Sequence, residues 1–242
     1  MASSVDIVIP VYNEEHSLPR CVATLIPFCG SHLGNYDWQV VIADNGSIDG
    51  TLRVAERLAS ENLGHLRVVH LDEKGRGRAL KRTWSESDAD IRIYMDVDLS
   101  TDLIHLPELV DAVRDGSPVA TGSRLKRGAH TARSAKREVI SRIYNLIIRA
   151  VFWSSFSDAQ CGFKAVNRRT AEVLVPLVRD NNWFFDTELL ILAERNGFGI
   201  TDIPVSWEED PDTRVKVVST ALEDLKGLAR LRFGGVPRVR AR

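Results

Sequence analysis

Two carboxylates one residue apart, Asp96-Val97-Asp98, directly follow the apolar run Ile91–Met95. Alternate residues of an extended strand share a face, so this spacing predicts two carboxylates directed at one ion. Hard oxygen donors suit Mg2+ or Mn2+ at ~2.0–2.2 Å, ions that ordinarily bridge a carboxylate to substrate phosphates. The plain alternative is a pair of surface acids capping the next helix. A second group, Lys74-Gly75-Arg76-Gly77, combines two cations with two glycines that permit close backbone approach to an anion. Its spacing is not that of a P-loop, and no Gly-x-Gly-x-x-Gly follows the first strand. Asp44 is placed to accept hydrogen bonds from a base edge or a ribose, as acids at this point of other nucleotide-binding sheets do.

The pattern around these groups supplies the elements that position them. Val5–Pro10, Gln39–Ala43, Leu66–Leu71, Ile91–Met95 and Pro118–Thr121 read as strands. Glu14–Phe28, Gly50–Ser60 (with Asp49 and Thr51 as capping candidates), Arg76–Ser87 and Leu106–Arg114 read as the helices between and after them. Continuous apolar strands alternating with helices predict an α/β fold with a parallel sheet covered on both faces. Ligands of such sheets bind beyond the carboxyl ends of the strands. Polar groups follow all five runs: Val11-Tyr12-Asn13-Glu14, Asp44-Asn45-Gly46-Ser47, Asp72–Gly77, Asp96–Ser100 and Gly122-Ser123-Arg124. Singly these are ordinary turn residues; together they predict one cleft.

Bulk properties narrow the partners. The 242 residues, 44% hydrophobic and 27% charged, fit one large α/β domain or two small ones. A net charge of -1 gives no reason to expect nucleic acid as a partner. Cys21, Cys29 and Cys161 form no CxxC pair, which predicts a reducing compartment and buried thiols. Met1-Ala2-Ser3-Ser4 runs straight into a strand, so no signal peptide is expected, and no run reaches the ~20 apolar residues of a membrane span. From Lys226 to Arg242 there are six basic residues and no acid. Such a segment is either a solvated tail or is drawn to anionic lipid, at ~1 kcal/mol per basic residue.

Ile9-Pro10-Val11-Tyr12-Asn13-Glu14, Asp44-Asn45-Gly46-Ser47-Ile48-Asp49-Gly50-Thr51 and Asp96-Val97-Asp98 resemble the signature of family 2 glycosyltransferases of GT-A fold. Gly122-Ser123-Arg124, Asp158-Ala159-Gln160-Cys161-Gly162-Phe163-Lys164 and Trp183–Leu190 resemble the polyprenyl-phosphate hexose synthases, which include dolichyl-phosphate glucosyltransferases and mannosyltransferases. Bacterial glycosyltransferase domains fused to a small GtrA-type membrane segment are similar too. The resemblance spans roughly residues 5 to 230. It implies a GT-A (Rossmann-like), mostly parallel α/β domain over residues 1–233, with C-terminal amphipathic helices. The nucleotide-binding half would be 1–122, the acceptor-binding half 123–233, and 234–242 a basic tail. It further implies that Pro10, Tyr12 and Glu14 line the nucleotide pocket and that Asp44 and Lys74 contact base or ribose. Asp96 would contact nucleotide and metal, and Asp98 would coordinate the Mg2+ or Mn2+. Arg124, Arg137, Ser141 and Arg214 fall where related enzymes hold an acceptor phosphate, and the spacing of Arg137 and Ser141 puts both on one helix face. Two positions depart from the pattern. Ser100 stands where some mannose-transferring relatives have a metal-binding Gln. Asp212-Thr213-Arg214 replaces a Gly-x-Ser-Lys-like segment, with Glu209 where an arginine often precedes it.

The implied activity is inverting, metal-dependent transfer of a hexose from a nucleotide-sugar donor, UDP-glucose-like or GDP-mannose-like, to a polyprenyl phosphate. A divalent ion with Lys or Arg neutralises the charge that develops on the leaving diphosphate. A lipid phosphate is already an anion and needs little help from a base. Asp158 and Asp186 are the candidate bases; their alternative is structural, orienting Lys164 or capping the helix near Asp186. Ala135–Trp153 and Ala221–Phe233 read as amphipathic helices, packed on the sheet or lying in a membrane interface. The interfacial reading predicts peripheral association with the cytoplasmic face of a membrane, and a separate small membrane protein as a further partner. Two other functions share the first half: a GT-A transferase with a soluble or polysaccharide acceptor, and a non-catalytic sugar-nucleotide-binding subunit. The intact Asp96/Asp98 pair argues against the second.

Overall fold

The computed structural model describes residues 2–209 and 217–239, the side chains of 217–219 excepted. The chain runs β1 (Ser4–Val11), α1 (Ser17–His32), β2 (Asp37–Asn45), α2 (Thr51–Glu61), β3 (Leu66–Leu71), α3 (Arg76–Glu86), β4 (Ile91–Met95), α4 (Leu106–Arg114) and β5 (Val119–Ser123). It continues through β6 (His130–Ala132), α5 (Ala135–Phe152), β7 (Phe163–Asn167), α6 (Arg168–Leu174), α7 (Phe185–Arg195), β8 (Ile200–Pro204), β9 (Ser206–Glu208) and α8 (Val217–Gly234). Seven strands form one sheet in the order β3-β2-β1-β4-β7-β5-β8. Neighbours are parallel except at β7, which lies antiparallel between β4 and β5. The strands β6 and β9 form a separate parallel pair. Strand order reverses between β1 and β4, which places a crevice at their carboxyl ends.

Both sheet faces are covered. Ile7, Ile9, Val40, Ile42, Ile91 and Ile93 pack with Leu18, Leu25, Leu58 and Leu109 of α1, α2 and α4. Val8, Val41, Tyr94 and Val166 pack on the opposite side with Leu80 and Trp84 of α3 and with residues of α5, α6, α7 and α8. Each fully buried Leu or Ile contributes ~1.5–3 kcal/mol, and burial on both faces is why these strands show little polar alternation. The polar interruption in β1, Asp6, is satisfied near the amino end of the strand, where Arg67 donates to it at 3.0 Å and Ser87 at 2.7 Å.

The first helix begins at Ser17 rather than Glu14. Glu14 and Glu15 are held in the preceding loop: the Glu14 N–H donates to Thr51 Oγ1 at 2.7 Å, and Glu15 accepts the Gly50 N–H at 2.9 Å. Asp49 accepts the Thr51 N–H at 2.9 Å at the start of α2. The helix α5 stops one residue early, with Trp153 in left-handed geometry at φ 57. Beyond α8, Asn196 donates to the Pro237 carbonyl at 3.0 Å and accepts the Val239 N–H at 2.7 Å, so this part of the basic segment is tied to the end of α7. Arg240 and Arg242 lie outside the described residues. The three cysteines are buried and unbonded, and burial pushes their thiols up to about 12. Among the described residues no helix is long and apolar enough to cross a membrane.

Candidate active site

The loops after β1 and β2 are laced together at the crevice. The Asn13 N–H donates to Ser47 Oγ at 3.0 Å, and Asn13 Oδ1 accepts the Ile48 N–H at 2.9 Å. Asn13 does this from a left-handed φ of 57, which Asn tolerates better than most residues. Tyr12 receives Lys74 Nζ over its ring at 3.6 Å, so these two expected nucleotide contacts are brought together. Pro10, Tyr12 and Glu14 are half-buried and Lys74 is exposed. Asp44 departs from expectation. It is fully buried, accepts the Ser47 N–H at 3.3 Å, and lies 2.7 Å from His70 Nδ1. The polar edge offered beside it is that of His70, whose side chain is 39% exposed.

The geometric reason expected for the Asp96/Asp98 pair does not hold. The strand β4 ends at Met95, and Asp96–Leu99 forms a turn in which the Leu99 N–H donates to the Asp96 carbonyl at 3.3 Å. Leu99 is left-handed at φ 55, and the Ser100 N–H donates to Asp98 Oδ1 at 2.9 Å. The pair is therefore presented by a turn, with Asp96 half-buried and Asp98 exposed. Gly162 makes room for it: a Cβ there would lie 1.8 Å from Asp96 Oδ2. Among the described residues no group of three or more His, Cys, Asp or Glu assembles for a metal. Two hard carboxylates are what Mg2+ or Mn2+ takes when water and substrate phosphates complete the shell.

Behind the turn lies a charge cluster in which Arg76 joins Asp96 to Asp186 and Lys164. Arg76 donates to Asp96 Oδ1 at 2.7 Å and to Asp186 Oδ2 at 2.8 Å. Its guanidinium sits 4.9 Å from the Tyr94 ring centre and 5.1 Å from that of Trp183. Gly77 permits this placement, because a Cβ there would come within 2.8 Å of Phe185 Cβ on α7. Lys164, fully buried, donates to the Cys161 carbonyl at 2.5 Å and lies 3.2 Å from Asp186 Oδ1. The Tyr94 hydroxyl also donates to Asp186. Burial works against ionisation of Asp186, but Lys164, Arg76 and Tyr94 outweigh it and hold the carboxyl below its ordinary value.

Asp158 is engaged as completely. It accepts from Arg124 Nε at 2.7 Å, from Arg124 Nη2 at 3.0 Å and from the Arg124 N–H at 3.1 Å. Burial opposes its ionisation, yet Arg124 holds it at about 2. A base effective at neutral pH titrates near 7. Both candidate bases are engaged in ion pairs, and Asp186 lies 3.2 Å from Lys164 Nζ. Arg137, expected at the acceptor phosphate, is paired with Glu209 at 2.8 Å, while the Ser141 hydroxyl is buried with no hydrogen-bond partner among the described residues. Glu209, in the position where the pattern leads to arginine, also accepts the Ser134 N–H at 3.0 Å. Arg214 lies outside the described residues.

Comparison with known proteins places this geometry. In sequence the chain is similar to glycosyltransferase AglD of Haloferax volcanii, 41% identical over 220 residues that make up 90% of this chain and 35% of that protein. It is also similar to the dolichyl-phosphate beta-glucosyltransferase of Saccharomyces cerevisiae, 27% identical over 248 residues, covering 95% of this chain and 74% of the relative. In fold it is similar to the glucosyl-3-phosphoglycerate synthase of Mycobacterium tuberculosis in complex with UDP, with a TM-score of 0.72 at 20% identity over 96% of this chain and 81% of that one. The same synthase with Mn2+, UDP-glucose and phosphoglyceric acid gives 0.71 at 17% identity, covering 96% and 80%. Residues 6–174 match the model of Glycosyl transferase family 2. With its mostly parallel sheet and its Asp-x-Asp turn at the end of β4, the chain belongs to glycosyl transferase family 2 and is a glycosyltransferase of GT-A fold.

Proposed function

We propose that this glycosyltransferase moves a hexose, with inversion, from a UDP-glucose-like or GDP-mannose-like donor to a polyprenyl phosphate at the cytoplasmic face of a membrane, using Mg2+ or Mn2+. The observation that carries the lipid acceptor is the helix α5. Arg137 and Ser141 lie one turn apart on it, while Val139, Ile143 and Leu146 are 55%, 52% and 65% exposed on the same helix. Leu222 and Leu225 of the adjoining α8 are also exposed, as are Trp153 and Phe233 at the helix ends. Apolar and aromatic side chains left in water along two neighbouring helices fit the headgroup–acyl boundary of a bilayer. The likeness to dolichyl-phosphate glucosyltransferases supports the same acceptor and favours glucose.

In this reading Asp96 and Asp98 would hold the ion together with the donor diphosphate. When bound, the ion neutralises charge on the leaving group. Arg76 and Lys164 add fixed positive charge beside it. Arg124, Arg137 and Ser141 would receive the acceptor phosphate. Its oxygen forms a bond to the anomeric carbon as the bond to the nucleotide diphosphate breaks. A phosphate anion gives up no proton in this step, so the commitment of Asp158 and Asp186 to ion pairs costs the reaction nothing.

The test incubates purified protein and Mn2+ or Mg2+ with radiolabelled UDP- and GDP-sugars, offering polyprenyl phosphate or 3-phosphoglycerate as acceptor. Metal-dependent label in the organic phase is expected. Label in the soluble acceptor alone, or in neither, would overturn the proposal. Asp98→Ala should abolish transfer and leave the circular dichroism unchanged, because Asp98 is exposed on a turn.

A further inference from the structure

We propose that Arg76 is a resident counter-cation of the Asp-x-Asp turn that makes divalent-ion binding depend on the nucleotide diphosphate. The inference rests on the glycosyltransferase reading above and concerns what occupies the turn before donor arrives. Arg76 is held from several sides: Asp96 at 2.7 Å, Asp186 at 2.8 Å, and the rings of Tyr94 and Trp183 at 4.9 and 5.1 Å. Its side chain is only 10% exposed. Burial works against its protonation, but Asp96, Tyr94 and Asp186 outweigh it and push the guanidinium well above the ordinary arginine value.

The charges inside this cluster already balance. Asp96 and Asp186 carry two negative charges, and Arg76 with Lys164 carries two positive ones. A bare divalent ion approaching Asp96 therefore meets a carboxylate that is already paired, with a fixed guanidinium beside it. Asp98 is a second carboxylate on the same turn. A nucleotide diphosphate changes that balance, since it brings at least two negative charges and several phosphate oxygens. Arginine has five N–H donors in a rigid fork suited to phosphate. The same guanidinium that disfavours the lone ion then favours ion and diphosphate together. The consequence is positive coupling between metal and donor, with Arg76 as a positioning residue acting through Asp96.

The experiment titrates Mn2+ alone into the full chain, reading free Mn2+ by electron paramagnetic resonance, with and without UDP. Wild type is expected to bind Mn2+ weakly alone and ~10-fold or more tightly with UDP, within the ~5- to 150-fold range of coupled sites. Arg76→Gln is expected to bind Mn2+ alone about 10-fold tighter than wild type and to lose most of the UDP effect. Arg76→Lys, which keeps the charge but not the fork, should bind Mn2+ alone as weakly as wild type and keep only part of the UDP effect. A purely structural ion pair would lower the melting temperature of Arg76→Gln without tightening Mn2+. Unchanged or weaker Mn2+ affinity in Arg76→Gln, alongside intact coupling in wild type, overturns the inference alone. Absence of Mn2+ binding by wild type even with UDP overturns the metal reading and the inference with it. Should Arg76→Gln fail to fold, Arg76→Met, which keeps an unbranched stem between the rings, carries the same expectation and the same refutation.

Discussion

Asp158→Asn removes the negative half of a pair in which Asp158 is wholly buried and the Arg124 side chain only 12% exposed. Two lines of reasoning give the size of the effect. Arg124 holds this carboxyl at about 2 against an ordinary 3.8. At ~1.4 kcal/mol per pKa unit the pairing is worth about 2.5 kcal/mol. Breaking a buried pair from one side costs ~3–5 kcal/mol, because the other charge stays buried. A loss of about 3 kcal/mol at pH 7 is expected, or ~6–12 °C in Tm for a chain of this size. The depressed pKa sets the pH dependence: the stabilisation is complete above the unfolded value of 3.8 and is lost as pH falls from there through about 2. Urea unfolding followed by circular dichroism at pH 7 and at pH ~3 should therefore show a large gap between wild type and variant that narrows in acid. A gap below ~1 kcal/mol at pH 7, or one that does not narrow, would refute the reasoning.

Two further substitutions probe the same region. Gly162→Ala places a Cβ 1.8 Å from Asp96 Oδ2, so the turn must shift. Destabilisation of ~1–3 kcal/mol is expected, with weakened Mn2+ binding in the presence of UDP, and wild-type values in both measurements would contradict it. Asp224 on α8 is buried and accepts from Gln160 Nε2 at 2.7 Å. Burial first, then Asp180, Asp186 and Glu223, push its carboxyl up to about 7. A raised folded pKa means stability is full below 3.8 and is lost as pH rises through about 7. Asp224→Asn should melt higher than wild type at pH 8 and lose that advantage near pH ~4; equal melting at pH 8 would count against the burial argument.

Strands β1, β2 and β4 could be read from sequence because each carries a largely apolar run buried on both faces and followed at once by polar residues; in β3, at the sheet edge, only Leu66 is buried and Arg67 and His70 interrupt the run. Strand β7, whose second residue is the buried Lys164, was not read, because it enters the sheet antiparallel and outside the strand–helix alternation that revealed the others. Asp186 and Tyr94, far away in sequence, together with the Cys161 carbonyl make that lysine tolerable. The same distance hid the Arg124–Asp158 pair, whose members are 34 residues apart. Arg76 lay in a loop already suspected of meeting an anion, but its aspartate partners stand 20 and 110 residues on. The Asp96/Asp98 pair was found for a reason that proved wrong: spacing on a strand suggested a shared direction, whereas the backbone has already left the strand and turned at Leu99.

The antiparallel strand β7 also sets an order of events during synthesis. β4 ends at Met95, but its neighbour on one side is not complete until Asn167 has been made, about seventy residues later. At ~5–20 residues per second β4 waits roughly 4–14 s with that edge unpaired. β5 emerges during the wait as a second strand of equal length whose neighbour β7 has not yet been made. Native β7 must then be admitted between them, bringing Gly162 and Lys164 into position. A chain that stops before residue 160 lacks β7, and with it Gly162, beside which Asp96 rests.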